Sequence, residues 1–201
     1  MSRETKISRR RLLLVAASAL PAAVGLLPRG GVEAGELSPT RACSDNGDPT
    51  PPQMAGPYFK PRSPERDSLL TPGTKGTKIV LTGVVLSTTC QPVPGTLLDF
   101  WQCDSNGNYD TTGYTLRGHQ FTDADGRYRL ETIVPAVYPG RTRHIHVRAQ
   151  APNRPVLTTQ LYFPGEPGNE GDFLFRRDLL MAIQEQGTVK VARFDFVLKL
   201  G

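Results

Sequence analysis

Between residues 78 and 198 the chain alternates apolar and polar positions in short runs broken by Pro- and Gly-rich turns, which is how half-buried strands are written. Lys78 to Thr88 and Thr96 to Gln102 are apolar and β-branched, and Gln91-Pro-Val-Pro-Gly95 between them predicts a hairpin. Thr122-Asp-Ala-Asp-Gly126 predicts a turn between Gly118 to Phe121 and Arg127 to Glu131. Its Asp-x-Asp-Gly shares the opening of a calcium loop, but the other ligand positions are missing. Tyr128 and Leu130 alternate with Arg127, Arg129 and Glu131, as one inward and one outward face require. His144 to Ala149, Leu157 to Phe163 and Thr188 to Leu198 complete the strands, and Leu174, Leu179, Leu180 and Ile183 predict one short helix over 172–184. The fold class expected is all-β: a single β-sandwich over 78–201 with an extended arm over 35–77. That arm, rich in Pro, Gly and Ser, is expected to wrap the core.

The N-terminus has a different character. Ser8-Arg-Arg-Arg-Leu-Leu-Leu opens an apolar stretch from Leu12 to Leu27, a twin-arginine-type export signal over 1–34 that predicts a periplasmic or secreted destination. The stretch is short and contains Pro21, so no membrane span is expected, and Val32-Glu33-Ala34 offers a cleavage site. Six cations against two acids in 1–34 account for +4 of the formal +5, so the rest of the chain is nearly neutral and nucleic acid is not an expected partner. An oxidising destination suits one disulfide among Cys43, Cys90 and Cys103. In the expected hairpin Cys90 and Cys103 lie about 20 Å apart at about 3.3 Å per residue, beyond the roughly 7 Å a bridge allows. Any bridge is therefore expected to use Cys43.

Candidate chemistry gathers in two places. His144 and His146 are two of only three histidines and sit two apart on one strand, so both imidazoles face one side. That spacing fits zinc, copper, nickel or iron alike. Tyr138, just before the pair, and Tyr109 add two phenols. A phenol with a reference pKa of about 10 becomes an anionic ligand at neutral pH only beside a strong Lewis acid. Two phenolates and two neutral imidazoles would leave Fe(III) with a single net charge, whereas calcium, magnesium and structural zinc prefer other donors. Each residue also has an ordinary reading, as a sheet tyrosine, a turn residue or a solvated histidine; it is their combination that points to metal. His119 reads as a residue outside this set, and Trp101 suits the core as well as a pocket wall.

From Gly56-Pro-Tyr-Phe59 through Leu98-Asp-Phe-Trp-Gln102, Gly107-Asn-Tyr109, Arg117-Gly-His-Gln-Phe-Thr-Asp-Ala-Asp-Gly-Arg-Tyr128, Thr132-Ile-Val-Pro-Ala-Val-Tyr-Pro139 and His144-Ile-His146 to Thr159-Gln-Leu-Tyr-Phe163, the chain resembles the intradiol ring-cleavage dioxygenases, most closely a small exported branch. The resemblance implies ferric iron held by Tyr109, Tyr138, His144 and His146, with Tyr138 and His146 axial. It also implies an active-site role for Arg141, a proton-accepting role for Tyr138 and pocket positions for Tyr58, Trp101 and Gln160. The implied reaction cleaves a small aromatic diol with dioxygen, between its two hydroxyl-bearing carbons, to a muconate-type diacid. Only Pro139 to Arg143 separate Tyr138 from the histidines, shorter than in catechol and protocatechuate enzymes, so the diol stays open between a catechol, a hydroxyquinol and a carboxylated ring. A homo-oligomer also stays open. The alternative is a non-catalytic exported module that binds polysaccharide or a lignin-like polymer.

Overall fold

In a computed structural model, Cys43 and residues 47–201 are described; the expected export signal and the first part of the arm lie outside the described residues. These residues form nine strands: β1 (Lys78–Ser87), β2 (Leu97–Trp101), β3 (Arg117–Phe121), β4 (Arg127–Ile133), β5 (His144–Gln150), β6 (Leu157–Tyr162), β7 (Ala182–Gln186), β8 (Val189–Arg193) and β9 (Phe196–Leu198). One sheet runs β4-β1-β8-β7 with β9 also on β1; the other runs β3-β2-β5-β6. Alternation decides what lies between them. Ile79, Leu81 and Val85 of β1 face Leu98 and Phe100 of β2 and Ile145, Val147 and Ala149 of β5 in one buried apolar cluster.

Three sequence expectations are corrected. The first and second strands are not a hairpin: β1 pairs with β4, β8 and β9, while β2 pairs with β3 and β5, so the Pro-rich turn carries the chain from one sheet to the other. The helix over 172–184 is absent among the described residues; two 3-10 turns, Asn169–Gly171 and Arg177–Leu179, are followed by β7. Leu179 alone of its four leucine and isoleucine positions is fully buried. The last strand is interrupted at Phe194 and Asp195, where an Asp195 carboxylate oxygen accepts the Val84 N–H at 2.9 Å. Gly83 sits opposite because a Cβ there would lie 1.8 Å from the Phe194 carbonyl oxygen.

The arm is an edge strap. From Gln53, whose N–H donates to Thr158 O of β6 at 2.7 Å, it crosses the outer face of the β3-β2-β5-β6 sheet. It reaches β3, where Arg66 N donates to His119 O at 2.8 Å, and then β4, where Leu69 N donates to Glu131 O at 2.8 Å. Backbone groups on three strands are thereby satisfied. Cys43 is bridged, as expected of any disulfide here; its partner, which the sequence left open, is Cys90, and Cys103 is a buried free thiol.

Candidate metal centre

Strand β5 sends Ile145, Val147 and Ala149 into the core and His144 and His146 to the opposite face, under the arm. Register builds the site. Arg117, Trp101, His146 and Gln160 stand side by side across β3, β2, β5 and β6, and Tyr162 stands beside His144. Trp101 stacks on the His146 ring with centroids 4.8 Å apart and 4° between planes, and Phe59 of the arm packs edge-on against Trp101 at 5.0 Å. Gly56 takes φ +68°, a conformation that disfavours any side chain, where the arm passes above the His146 ring.

Tyr109 arrives from the loop after β2. Asp104 accepts the Asn106 and Asn108 N–H groups at 2.8 and 2.9 Å, and Gly107 at φ +87° lets the turn close against Val137. Asp110 then caps the next turn, accepting N–H groups of Thr112, Gly113 and Thr115; those bonds hold its carboxyl well below the usual range. Tyr138 and Arg141 are the corners of one β-turn: Arg141 N donates to Tyr138 O at 2.8 Å, with Pro139 and Gly140 (φ +77°) between them.

Three donor atoms converge. Tyr109 Oη lies 3.3 Å from His144 Nε2 and 3.2 Å from His146 Nε2, and the two Nε2 atoms are 3.1 Å apart. Such a triangle fits one ion at metal–nitrogen distances of about 2 Å. His144 Nδ1 donates to Thr142 O at 2.7 Å, which leaves the Nε2 lone pair pointing into the triangle. Burial pushes His144 down to about 4 and His146 well below the usual imidazole value, so both rings are neutral ligands at pH 7. Burial pushes the Tyr109 phenol up, so only a bound cation would make it an anion. Among the described residues no cluster of three or more His, Cys, Asp or Glu side chains is placed to hold a metal, so a metal here requires a phenol. The residues present fit ferric iron.

Tyr138 belongs to the same cluster, its ring edge-on to Tyr109 at 5.9 Å, but its hydroxyl meets that of Tyr58 at 2.9 Å. Tyr58 stacks on Tyr109 at 4.3 Å and 8°. The structure thus brings Tyr109, His144 and His146 to one point and sets Tyr138 beside them. Trp101 and Gln160 are both buried beside the histidines. Gln160 Oε1 accepts from Arg141 Nη2 at 2.6 Å and its Nε2 donates to Met54 O at 3.0 Å. Two cavities, of about 490 and 210 Å³, lie away from this cluster, along β1 and β4 and beside the chain end.

Asp172 and Arg117 were not singled out from the sequence. Asp172 holds Arg141, and Arg117 reaches the loops of Tyr58 and Tyr109. Their partners lie 7, 59 and 31 residues away in sequence, so no local pattern marks them.

The family profile described as "Dioxygenase" matches residues 54–200, and a catechol 1,2-dioxygenase of Pseudomonas sp. (strain EST1001) is 31% identical over 159 residues. The chain belongs to the intradiol dioxygenase family. Its match to the Pseudomonas member covers 65% of this chain and 53% of that one, and its match to the protocatechuate 3,4-dioxygenase beta chain of Burkholderia cepacia, 33% identical, covers 62% and 65%. The chain therefore spans between about half and two thirds of these curated relatives. Among solved structures, the dioxygenase domain of a dioxygenase carbohydrate-binding protein fusion from Streptomyces sp. SirexAA-E is 60% identical, with a TM-score of 0.75 over 77% of this chain and 100% of that one.

Proposed function

We propose that this chain is a non-haem ferric dioxygenase that cleaves a catechol-type ring between its two hydroxyl-bearing carbons. The observation that carries the reading is the convergence of Tyr109 Oη with both imidazole Nε2 atoms within 3.1 to 3.3 Å. Tyr109, His144 and His146 would hold the iron, with Tyr138 as the fourth ligand. When bound, ferric iron supplies a strong Lewis acid that takes the diol as a dianion and opens its ring to dioxygen. Both oxygen atoms of dioxygen then enter the product, so a catechol plus dioxygen balances to a muconate-type diacid.

The chain's own groups handle protons and charge. A diol binding as a dianion would shed two protons: hydroxide from solvent would accept one and the Tyr138 phenolate the other. Tyr58, 2.9 Å from the Tyr138 hydroxyl, is placed to hold it in that state. Arg141 brings a fixed positive charge, aimed before substrate arrives by Asp172 and Gln160; preorganised charge of this kind commonly contributes a few kcal/mol to a transition state. The Trp101 and Phe59 rings keep water from the His146 side. The twin-arginine-type segment supports export of the folded, metal-loaded chain.

Oxygen uptake by the iron-loaded chain, with product mass analysis across catechol, hydroxyquinol and protocatechuate, tests the reading. One dioxygen consumed per ring-opened diacid is expected with at least one diol. Polymer binding with no uptake on any diol would favour the non-catalytic module instead.

A further inference from the structure

The β3 arginine next to Trp101 has no role in the reading above, yet its contacts go to the two segments that carry the site's tyrosines. Arg117 is 2% exposed, and its guanidinium is spent on backbone carbonyls. Nη1 donates to Tyr58 O at 2.6 Å and Nε to Asp110 O, the residue after Tyr109, at 2.9 Å. Burying a guanidinium is costly, and backbone carbonyls return part of that cost only if they stay where they are. Arg117 is itself fixed: its own carbonyl accepts Arg66 Nε at 2.9 Å, and strand register sets it beside Trp101.

We propose that Arg117 is a positioning residue that fixes both phenols of the metal centre by clamping the arm to the loop after β2. Through Asp110 it anchors the backbone that presents Tyr109. Through Tyr58 it sets the ring stacked 4.3 Å from Tyr109 and the hydroxyl 2.9 Å from that of Tyr138. One guanidinium thus couples two segments 59 and 7 residues away from it in sequence. A lysine would keep the charge but, as a single ammonium, could not span both carbonyls in the same fork geometry. The inference rests on the ferric reading of the site, but the clamp itself exists without metal.

The test uses the wild type, R117K and R117Q, first iron-free and then iron-loaded. In iron-free protein, amide hydrogen exchange over residues 56–60 and 109–114 should rise about tenfold or more in both variants while the core strands stay protected. In iron-loaded protein, the visible phenolate-to-iron band of R117K should shift and weaken, and kcat should fall roughly tenfold to a hundredfold, since misplacement by about 1 Å costs that much. If R117Q does not fold, R117K alone decides. Unchanged exchange in the two segments would overturn the clamp, and faster exchange with an unchanged band would overturn its role in setting the phenols. A wild type that binds no iron would sink the ferric reading and with it the positioning role, while the iron-free exchange would still judge the clamp.

Discussion

Asp172 grips Arg141 through both carboxylate oxygens, 3.0 and 2.8 Å from Nε, while also accepting the Thr142 N–H at 2.9 Å. Burial opposes ionisation of Asp172, but the N–H groups of Leu174 and Thr142 and the Arg141 guanidinium outweigh it and hold the carboxyl below its usual range. The same carboxylate therefore aims the arginine and fixes the turn that leads into His144. D172N removes the charge and about half of this support. It should lower kcat by roughly tenfold to a hundredfold while iron stays bound, in keeping with about 1.5 to 3 kcal/mol for a charged hydrogen bond. Steady-state oxygen uptake beside iron analysis checks it, and kcat unchanged in D172N would show that Arg141 needs no such support.

Iron-free protein should lose stability in mild acid. His144 has a folded value of about 4, lowered chiefly by burial, against about 6.5 unfolded. The unfolded chain therefore takes up protons first, so stability is fully present above pH 6.5 and falls between about 6.5 and 4. The loss is on the order of 3 kcal/mol for this histidine, and His146 acts in the same direction. Melting curves of iron-free protein across pH 4 to 7 measure it. A flat melting temperature over that range would mean the imidazoles are not held neutral.

Non-reducing peptide mapping should join Cys43 to Cys90 and leave Cys103 as a thiol. Burial pushes Cys103 up to about 11, so it should resist alkylation in native protein and react after unfolding. The bridge closes a sequence separation of 47, and C90S should cost up to about 4 kcal/mol by the loop-entropy model.

Much of this architecture is legible before any coordinates. Period-two alternation located β4 and β5 because one face of each is solid core, and Tyr138-Pro-Gly-Arg marked its turn because glycine at positive φ has few substitutes. What alternation does not encode is the pairing partner: β1 and β2 look like a hairpin, yet each finds its neighbours in a different sheet. The mistaken helix has a related cause. Leu179, Leu180 and Ile183 follow helical spacing, but the segment wraps a sheet edge and buries only Leu179 completely. Asp172, at the start of that segment, is the partner of an arginine 31 residues earlier. Arg117 escaped for the same reason, since its partners are carbonyls, which every residue has.

The visible spectrum of the iron-loaded chain decides whether the Tyr109 phenolate and the two imidazoles hold ferric iron. Wild type should be reddish, with a broad phenolate-to-iron band, and Y109F should bleach or shift that band while the β-sandwich stays folded. A colourless protein that takes up zinc or copper in preference to ferric iron, or a Y109F spectrum identical to wild type, would contradict that assignment.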